Sequence, residues 1–143
     1  MAIETTKFEI VTPERVLLKE QITQVTVPTV DGEITILPKH SALVASLKAG
    51  VIELKKANGE IEIMSISGGF VEVLHNKIVV LADTAEKAEE IDLARVETAK
   101  KRAEEIMKDT RTMDAEEFAN ITAQIEKELA RYRSVKKWRD LKR

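Results

Sequence analysis

Apolar residues alternate with polar ones at a period of two along the first half of the chain, from Lys7 onward. Successive side chains of a β-strand point to opposite faces of a sheet, so this spacing predicts strands. The alternating segments are separated by dipeptides that favour turns or bulges, namely Asp31-Gly32, Asn58-Gly59, Gly68-Gly69 and His75-Asn76. The pattern predicts about eight to ten short antiparallel strands.

A single sheet with this pattern would leave one apolar face in water. Closure into a small antiparallel β-sandwich or flattened barrel buries that face, and we expect this domain to occupy residues 1–84. Near its end, Val79, Leu81 and Ala82 interrupt the alternation. The interruption predicts a strand that is buried on both faces.

After Asp83 the apolar residues recur at steps of three or four, which is helical spacing. The first apolar stripe comprises Leu93, Val96, Ala99, Ala103, Ile106 and Met107. It predicts a helix from near Asp92 to about Lys108. Asp114, followed three positions later by Glu117, resembles a capping box and marks the start of a second helix. The second stripe comprises Phe118, Ile121, Ile125, Leu129, Tyr132, Val135 and Trp138.

Each helix has one apolar stripe and one charged face, so neither helix is stable alone in water. We expect an antiparallel two-helix hairpin over residues 85–143, packed on the sandwich or on another protein. The predicted fold class is therefore α+β, with a β-sandwich followed by a helical hairpin.

Charge is distributed unevenly along the chain. The formal net charge is -2, yet the segment Lys127 to Arg143 contains eight Lys or Arg residues against Glu128 and Asp140, a local charge of +6. A basic segment of this kind suggests an acidic partner. Nucleic acid is not the expected partner, because Tyr132 and Trp138 belong to the apolar stripe and the rest of the chain is acidic.

The residue types that usually carry chemistry are scarce. The chain has no cysteine, its two histidines, His40 and His75, lie 35 residues apart, and it contains no GxxxxGK[ST] phosphate loop. We expect neither a metal site nor catalytic machinery, and therefore no enzyme. Every apolar run is also much shorter than the length of about 18 residues needed to span a bilayer. This predicts a protein that is kept in the cytosol.

Several segments, in order along nearly the whole chain, resemble the epsilon subunits of bacterial F-type ATP synthases. They are Phe8–Glu14 (FEIVTPE), Val27–Pro38 (VPTVDGEITILP), His40, Ser67–Val73 (SGGFVEV) and Leu81–Glu86 (LADTAE). Two positions depart from the family pattern: Thr35 replaces a common glycine, and Ala42 replaces a common proline. The family fold is a β-sandwich followed by a two-helix hairpin, which agrees with the periodicity.

The resemblance implies a rotor subunit of the central stalk, peripheral to the cytoplasmic face of the cell membrane. Its sandwich would bind the gamma subunit and the c-ring. Its hairpin would extend into the catalytic head and inhibit ATP hydrolysis by meeting the beta and alpha subunits. The inhibitory basic stripe would then consist of Arg131, Arg133, Lys136, Lys137 and Arg139. A purely structural hairpin is the alternative, because sequence shows amphipathicity and not motion.

Some family members also bind regulatory ATP, although no cofactor is required. The family motif I/L-D-x-x-R-A corresponds here to Ile91, Asp92 and Arg95, with Val96 in place of the final alanine. The other implied ligands are Glu86, Lys127 and Arg131, with Lys127 in place of an arginine. A cap formed by Asp92 and an ion pair between Asp92 and Arg95 would explain both residues without a ligand.

A function from another class is also compatible with the residues. In this alternative, the chain is a stand-alone sandwich that binds a small ligand or nucleotide, and the hairpin serves as its lid.

Overall fold

The described part of the chain, residues 3–109 and 113–142 of a computed structural model, contains seven strands and two α-helices. The strands are β1 Thr6–Val11, β2 Val16–Thr29, β3 Gly32–Ile36, β4 Leu43–Lys56, β5 Ile61–Leu74, β6 Lys77–Ala82 and β7 Ala85–Lys87. A short 3-10 helix, Ala88–Glu90, leads to α1 Leu93–Lys108 and α2 Ala115–Leu141. The order of strands and then helices is the predicted one.

The strands form a closed ladder. They pair in the order β1, β6, β5, β4 and β2, and β1 also pairs with β2. Short strands extend this ring, β3 beside β2 and β7 beside β5. Every pair is antiparallel except β1 with β6, which is parallel. The predicted α+β fold, a sandwich or flattened barrel followed by two helices, is confirmed.

Three strands are much longer than the sequence pattern suggests. Each of β2, β4 and β5 has 14 residues. The first part of β2 pairs with β1 (Leu18 opposite Ile10), and the second pairs with β3 and β4 (Val27 opposite Ile34, Val25 opposite Leu54). One bent strand therefore spans a segment that the pattern predicts as two separate strands. For this reason the described part of the chain has seven strands, whereas the pattern predicts about eight to ten.

The core lies inside the closed ladder and is built from the inward residues of alternating positions. In β1, for example, Phe8 and Ile10 are buried while Glu9 between them points outward. The largest fully buried side chains are Phe8, Ile10, Ile22, Ile36, Ile52, Leu54, Ile63, Met64, Ile66, Ile78, Val25 and Val27. Each such burial stabilises the fold by about 1.5–3 kcal/mol.

The prediction that β6 is buried on both faces is wrong. Ile78, Val80 and Ala82 are buried, but Leu81 is 48% exposed and Val79 is only half-buried. The strand therefore alternates, and its outward residues, Val79 and Leu81, are apolar although neither is buried.

Strand β5 changes its partner at two consecutive glycines. Before them Ile66 pairs with Ala85 of β7, and after them Gly69 pairs with Ala82 of β6. Gly68 and Gly69 have φ values of 131° and 139°, which side-chain-bearing residues rarely adopt. A Cβ on Gly69 would lie 2.0 Å from the carbonyl oxygen of Leu81. Only glycine allows β5 to approach β6 this closely.

Both α-helices begin at capping aspartates. Oδ1 of Asp92 accepts hydrogen bonds from the backbone N–H groups of Ala94 (3.0 Å) and Arg95 (3.3 Å). Oδ1 of Asp114 accepts from the N–H of Glu117 (2.8 Å). These bonds satisfy amides that have no partner within the helix. The predicted cap at Asp114 and the predicted extent of the first helix are confirmed.

Helix α2 packs against β4 and β5, and α1 packs against α2. The apolar stripe of α2 is only partly covered: Val135 is buried, Phe118 is 46% exposed, and the remaining members are half-buried. The sheet also continues beyond the boundary expected after residue 84, because Lys87 of β7 pairs with Met64 of β5. Glu86 is thus held within the sandwich.

Candidate functional site

Arg131 of α2 lies between two carboxylates, one of the sandwich and one of its own helix. Its Nε donates to Oε2 of Glu86 at 2.8 Å, and its second terminal nitrogen reaches Oε1 at 3.4 Å. The first terminal nitrogen donates to Oε2 of Glu128 at 3.1 Å. The Glu128 side chain is only 8% exposed and that of Arg131 21%. A guanidinium fork suits such paired contacts, so Arg131 joins α2 to β7.

A second ion pair joins α2 to the sandwich. The ammonium group of Lys137 contacts a carboxylate oxygen of Glu53 on β4. Lys137 is more exposed than Arg131 and contacts a single carboxylate, so this pair is weaker than the Arg131 cluster. Together the two contacts place cations of α2 on acidic groups of β4 and β7.

Tyr132 connects the helices to each other. The ammonium nitrogens of Lys100 on α1 and Lys136 on α2 lie 5.6 and 5.5 Å from the centroid of its ring. At these distances a cation is attracted to the face of an aromatic ring, by about 0.5–1 kcal/mol at exposed sites. Lys136 therefore also takes part in the packing of the hairpin.

The predicted basic stripe thus divides into two groups. Arg131, Lys136 and Lys137 make the contacts described above. Arg133 and Arg139 are exposed, and within residues 3–109 and 113–142 no carboxylate lies at ion-pair distance from them. In this conformation, these two stripe cations are exposed, as is Lys136, whose contact is with the ring of Tyr132 and not with a carboxylate.

The six residues implied for ATP do not lie in one cavity. Glu86 and Lys127 line a cavity of about 310 Å³ between α2 and the end of the sandwich, together with Thr12, Glu14, Arg15, Asp83, Thr84 and Ala85. Arg95 instead lines a shallow depression on the surface of α1. Its Nε lies 3.7 Å from Oδ2 of Asp92, and both side chains are largely exposed. Ile91 is half-buried and donates its backbone N–H to Ala88.

One apolar surface was missed by sequence reasoning. Val16, Val44, Phe70 and Leu81, here called the outer patch, are 49%, 70%, 55% and 48% exposed. Across the sheet, Val16 and Leu81 both pair with Val11, and Leu81 pairs with Phe70. The alternation itself predicts that Phe70 and Leu81 point outward, because they alternate with inward residues of the same strands. These inward residues are Val71, Val73, Ile78 and Val80. Large outward residues beside them indicate an uncovered apolar face.

A charged network lies on another part of the sandwich surface. Glu9 is 3.0 Å from the ammonium group of Lys77 and 3.5 Å from that of Lys19. The hydrogen bond from Lys77, with a smaller attraction from Lys19, holds the pKa of Glu9 below its usual value. These three side chains and Lys7, Phe8, Glu20, Gln21, Lys56, Ala57 and Asn58 line an open cavity of about 590 Å³. Its lysines are engaged mainly with neighbouring carboxylates.

The described residues, 3–109 and 113–142, contain neither a metal-binding cluster nor a membrane-spanning helix. Within them no cluster of three or more His, Asp or Glu side chains has a geometry suited to a metal ion. Neither α-helix in this part of the chain is long and apolar enough to cross a membrane.

A sandwich followed by two helices that pack on it defines a class of two-module proteins. The family model described as ATP synthase, Delta/Epsilon chain, beta-sandwich domain matches residues 5–88. The ATP synthase epsilon chain of Desulforamulus reducens is 47% identical over 102 residues, which cover 71% of this chain and 76% of that protein. The epsilon chain of Chloroflexus aggregans is 42% identical over 126 residues, 88% of each chain. The chain belongs to the ATP synthase epsilon family.

Solved structures give the same fold. A chain in the Euglena gracilis mitochondrial ATP synthase, a structure of OSCP, F1 and the c-ring, has a TM-score of 0.77 at 22% identity. The match covers 88% of this chain and 78% of that one. A chain from the central stalk and c-ring of the Tetrahymena thermophila enzyme has a TM-score of 0.63 at 14% identity, covering 94% and 99%. Their likeness to this chain includes the helices as well as the sandwich.

Proposed function

We propose that this chain is a non-catalytic rotor subunit in the central stalk of an F-type ATP synthase. Its sandwich binds the gamma subunit and rests on the c-ring, so that rotation is transmitted to the catalytic head. The subunit is then held peripherally at the cytoplasmic face of the membrane by the complex. Family membership supports this function over a stand-alone ligand-binding sandwich with a helical lid.

The outer patch is the observation that carries the proposed contact with gamma. Four large apolar side chains lie exposed on neighbouring strands, and contiguous apolar surface of this kind marks a protein interface. The strands beneath the patch belong to the closed ladder, so the surface is rigid before binding. A rigid apolar surface loses little conformational entropy when a partner covers it.

Substitution within the outer patch tests this contact. We expect Phe70→Ser to weaken binding of the full chain to the gamma subunit by about 10- to 100-fold, because a central aromatic contributes strongly to an interface. Isothermal titration calorimetry measures the dissociation constant. Ile61→Ser is the matched control, since Ile61 is a 41% exposed apolar residue of the same strand outside the patch. Equal affinities for the two variants would assign gamma to another surface.

Inhibition of ATP hydrolysis is the second part of the proposed function. Arg133 and Arg139 are exposed on α2, which favours contact with an acidic surface of the beta or alpha subunit. Because the apolar stripe of α2 is incompletely covered, the hairpin packs only weakly on its own sandwich. A helix with two packings of similar free energy can act as a switch.

Regulatory ATP binding is a second candidate function, favoured by the cavity that Glu86 and Lys127 share. There Lys127 would pair with phosphate, while Arg131 would first have to release Glu86. Calorimetry on the full chain should show heat with ATP, and Lys127→Met should weaken binding. Lys108→Met, which removes an exposed lysine of α1, is the control. No heat at millimolar ATP would eliminate this function and leave the stalk function standing.

A further inference from the structure

Few residues of α2 are fully buried, and half of those are polar or charged. Its buried residues are Glu128, Ala130, Ser134 and Val135. Of these only Ala130 and Val135 gain from leaving water, and burial of a charged group such as Glu128 is costly unless a partner compensates it. The half-buried members of the apolar stripe, such as Leu129 and Trp138, add apolar burial, so hydrophobic packing and polar contacts together hold α2 on the sheet. The polar contacts are the part of this interface that an outside acidic surface can compete for.

Those polar contacts are ionic and come from two different strands. Glu86 is fixed in β7 opposite Ser65, and Glu53 is fixed in β4 opposite Ile63, so both carboxylates belong to the sandwich. They receive Arg131 and Lys137, which lie six positions apart on α2. Two anchoring points along one helix restrict both its position and its orientation.

We infer that Glu53 and Glu86 form an ionic latch, which holds α2 on the sandwich and withholds Arg131 and Lys137 from any other acidic partner. The inference deepens the proposed inhibition, on which it rests. An acidic surface of the catalytic head would have to compete with these two carboxylates for the same cations. The latch would thereby set the balance between the docked and the inhibitory hairpin without any nucleotide.

The cost of opening the latch lies mainly at Arg131. Removal of Glu86 leaves the guanidinium with Glu128 alone, in a part-buried setting where a lost partner is expensive. Glu53 contributes less, because Lys137 is more exposed than Arg131 and makes one contact with its carboxylate where Arg131 makes two. The latch is therefore graded, and loss of the Glu86 contact should open it more than loss of the Glu53 contact.

A distance measurement on the full chain tests the latch. The sequence has no cysteine, so spin labels can be attached at Ala57→Cys and Ala123→Cys, two exposed alanines on the sandwich and α2. Pulsed electron resonance then gives the populations of docked and undocked hairpin. We expect Glu53→Gln with Glu86→Gln to raise the undocked-to-docked ratio about 10-fold. The control pair, Glu33→Gln with Glu60→Gln, neutralises two other exposed sandwich carboxylates and should leave the ratio unchanged.

Equal ratios in the latch and control variants would overturn the inference. A charge exchange, Glu53→Lys with Lys137→Glu, should restore docking relative to Glu53→Lys alone, and failure to restore it would also count against the latch. Salt provides a readout that needs no substitution at the latch. Raising the salt concentration screens part-exposed pairs, so it should increase undocking in the parent and have less effect in the latch variant. These distances are measured without the catalytic head, so failure of the proposed inhibition would be recognised separately, by hydrolysis assays.

Discussion

At the scale of single residues, fixed backbone contacts and local charge explain the positions that tolerate least change. Gly69 is the clearest case, because its missing Cβ makes room for the carbonyl of Leu81. Glu9 is a different case, because its ionisation depends on two lysines on neighbouring strands. The first is a steric requirement and the second an electrostatic one, and each leads to its own measurement.

Gly69→Ala should destabilise the sandwich by at least about 3 kcal/mol, since the new methyl group would meet backbone that cannot move alone. Urea unfolding measures the free energy change. Gly59→Ala is the matched control: Gly59 also has a positive φ, of 90°, but its Cβ would meet nothing within 4 Å. That variant should lose only about 1–2 kcal/mol, from the backbone conformation itself. Similar losses in both would contradict the steric explanation.

The pKa of Glu9 should rise towards its ordinary value in Lys77→Met, because the hydrogen bond that favours the carboxylate is removed. A carbon-detected NMR titration of the carboxyl group measures the change. Lys7→Met, a variant of a lysine lining the same cavity, should leave the pKa of Glu9 unaltered.

The direction of the pKa shift also fixes its effect on stability. The folded pKa lies below the unfolded one, so the Glu9 contacts stabilise the fold above the unfolded pKa. This contribution is lost as the pH falls through the folded pKa. As the pH is lowered, the free energy of unfolding of Lys77→Met should therefore fall less than that of the parent protein.

At the scale of elements, local signals made the helices predictable. The start of α1 follows from Asp92, and that of α2 from Asp114, because a capping side chain bonds to amides only a few residues away. The number of strands could not be obtained in the same way. Whether an alternating segment is one bent strand or two depends on partners far along the chain, as the divided pairing of β2 shows.

Asp92→Ala should destabilise α1 by about 0.5–2 kcal/mol, since two backbone amides lose their acceptor. Hydrogen exchange of the first amides of α1 measures the loss directly. Asp92→Ser retains a capping oxygen but removes the charge, so it should preserve most of the protection. A loss of protection in Asp92→Ser equal to that in Asp92→Ala would mean that the charge, and not the cap, matters.

The contacts at the candidate site were beyond prediction for a related reason. Glu86 and Arg131 were both implied by the family resemblance, but as ligands of ATP and not as partners of each other. They are 45 positions apart, and the sequence does not reveal which face of α2 meets the sheet. The outer patch is not among the sequence predictions, which place the apolar Leu81 in a strand buried on both faces. Leu81 is one position from Val80 and three from Ile78, so strand alternation places its side chain on the face opposite to these two buried residues.

At the scale of the whole molecule, deletion of residues 113–143 should increase ATP hydrolysis by the assembled enzyme. We expect a rise of at least about two-fold, which corresponds to release of an enzyme that is inhibited half of the time. The full-length variant Arg133→Gln with Arg139→Gln keeps the hairpin but removes two of its exposed cations, so it should show part of the increase. Unchanged hydrolysis after the deletion would indicate a purely structural hairpin.

The parallel pairing of β1 with β6 has a consequence for synthesis. Phe8 lies opposite Ile78 in the finished ladder, so the first strand made must wait for one of the last before the ring can close. Contacts between such distant residues are slow to form, because the intervening chain must first be ordered. The nascent sandwich therefore exposes an open edge while it emerges from the ribosome. Chaperone binding to this subunit should be strongest before residue 82 is released.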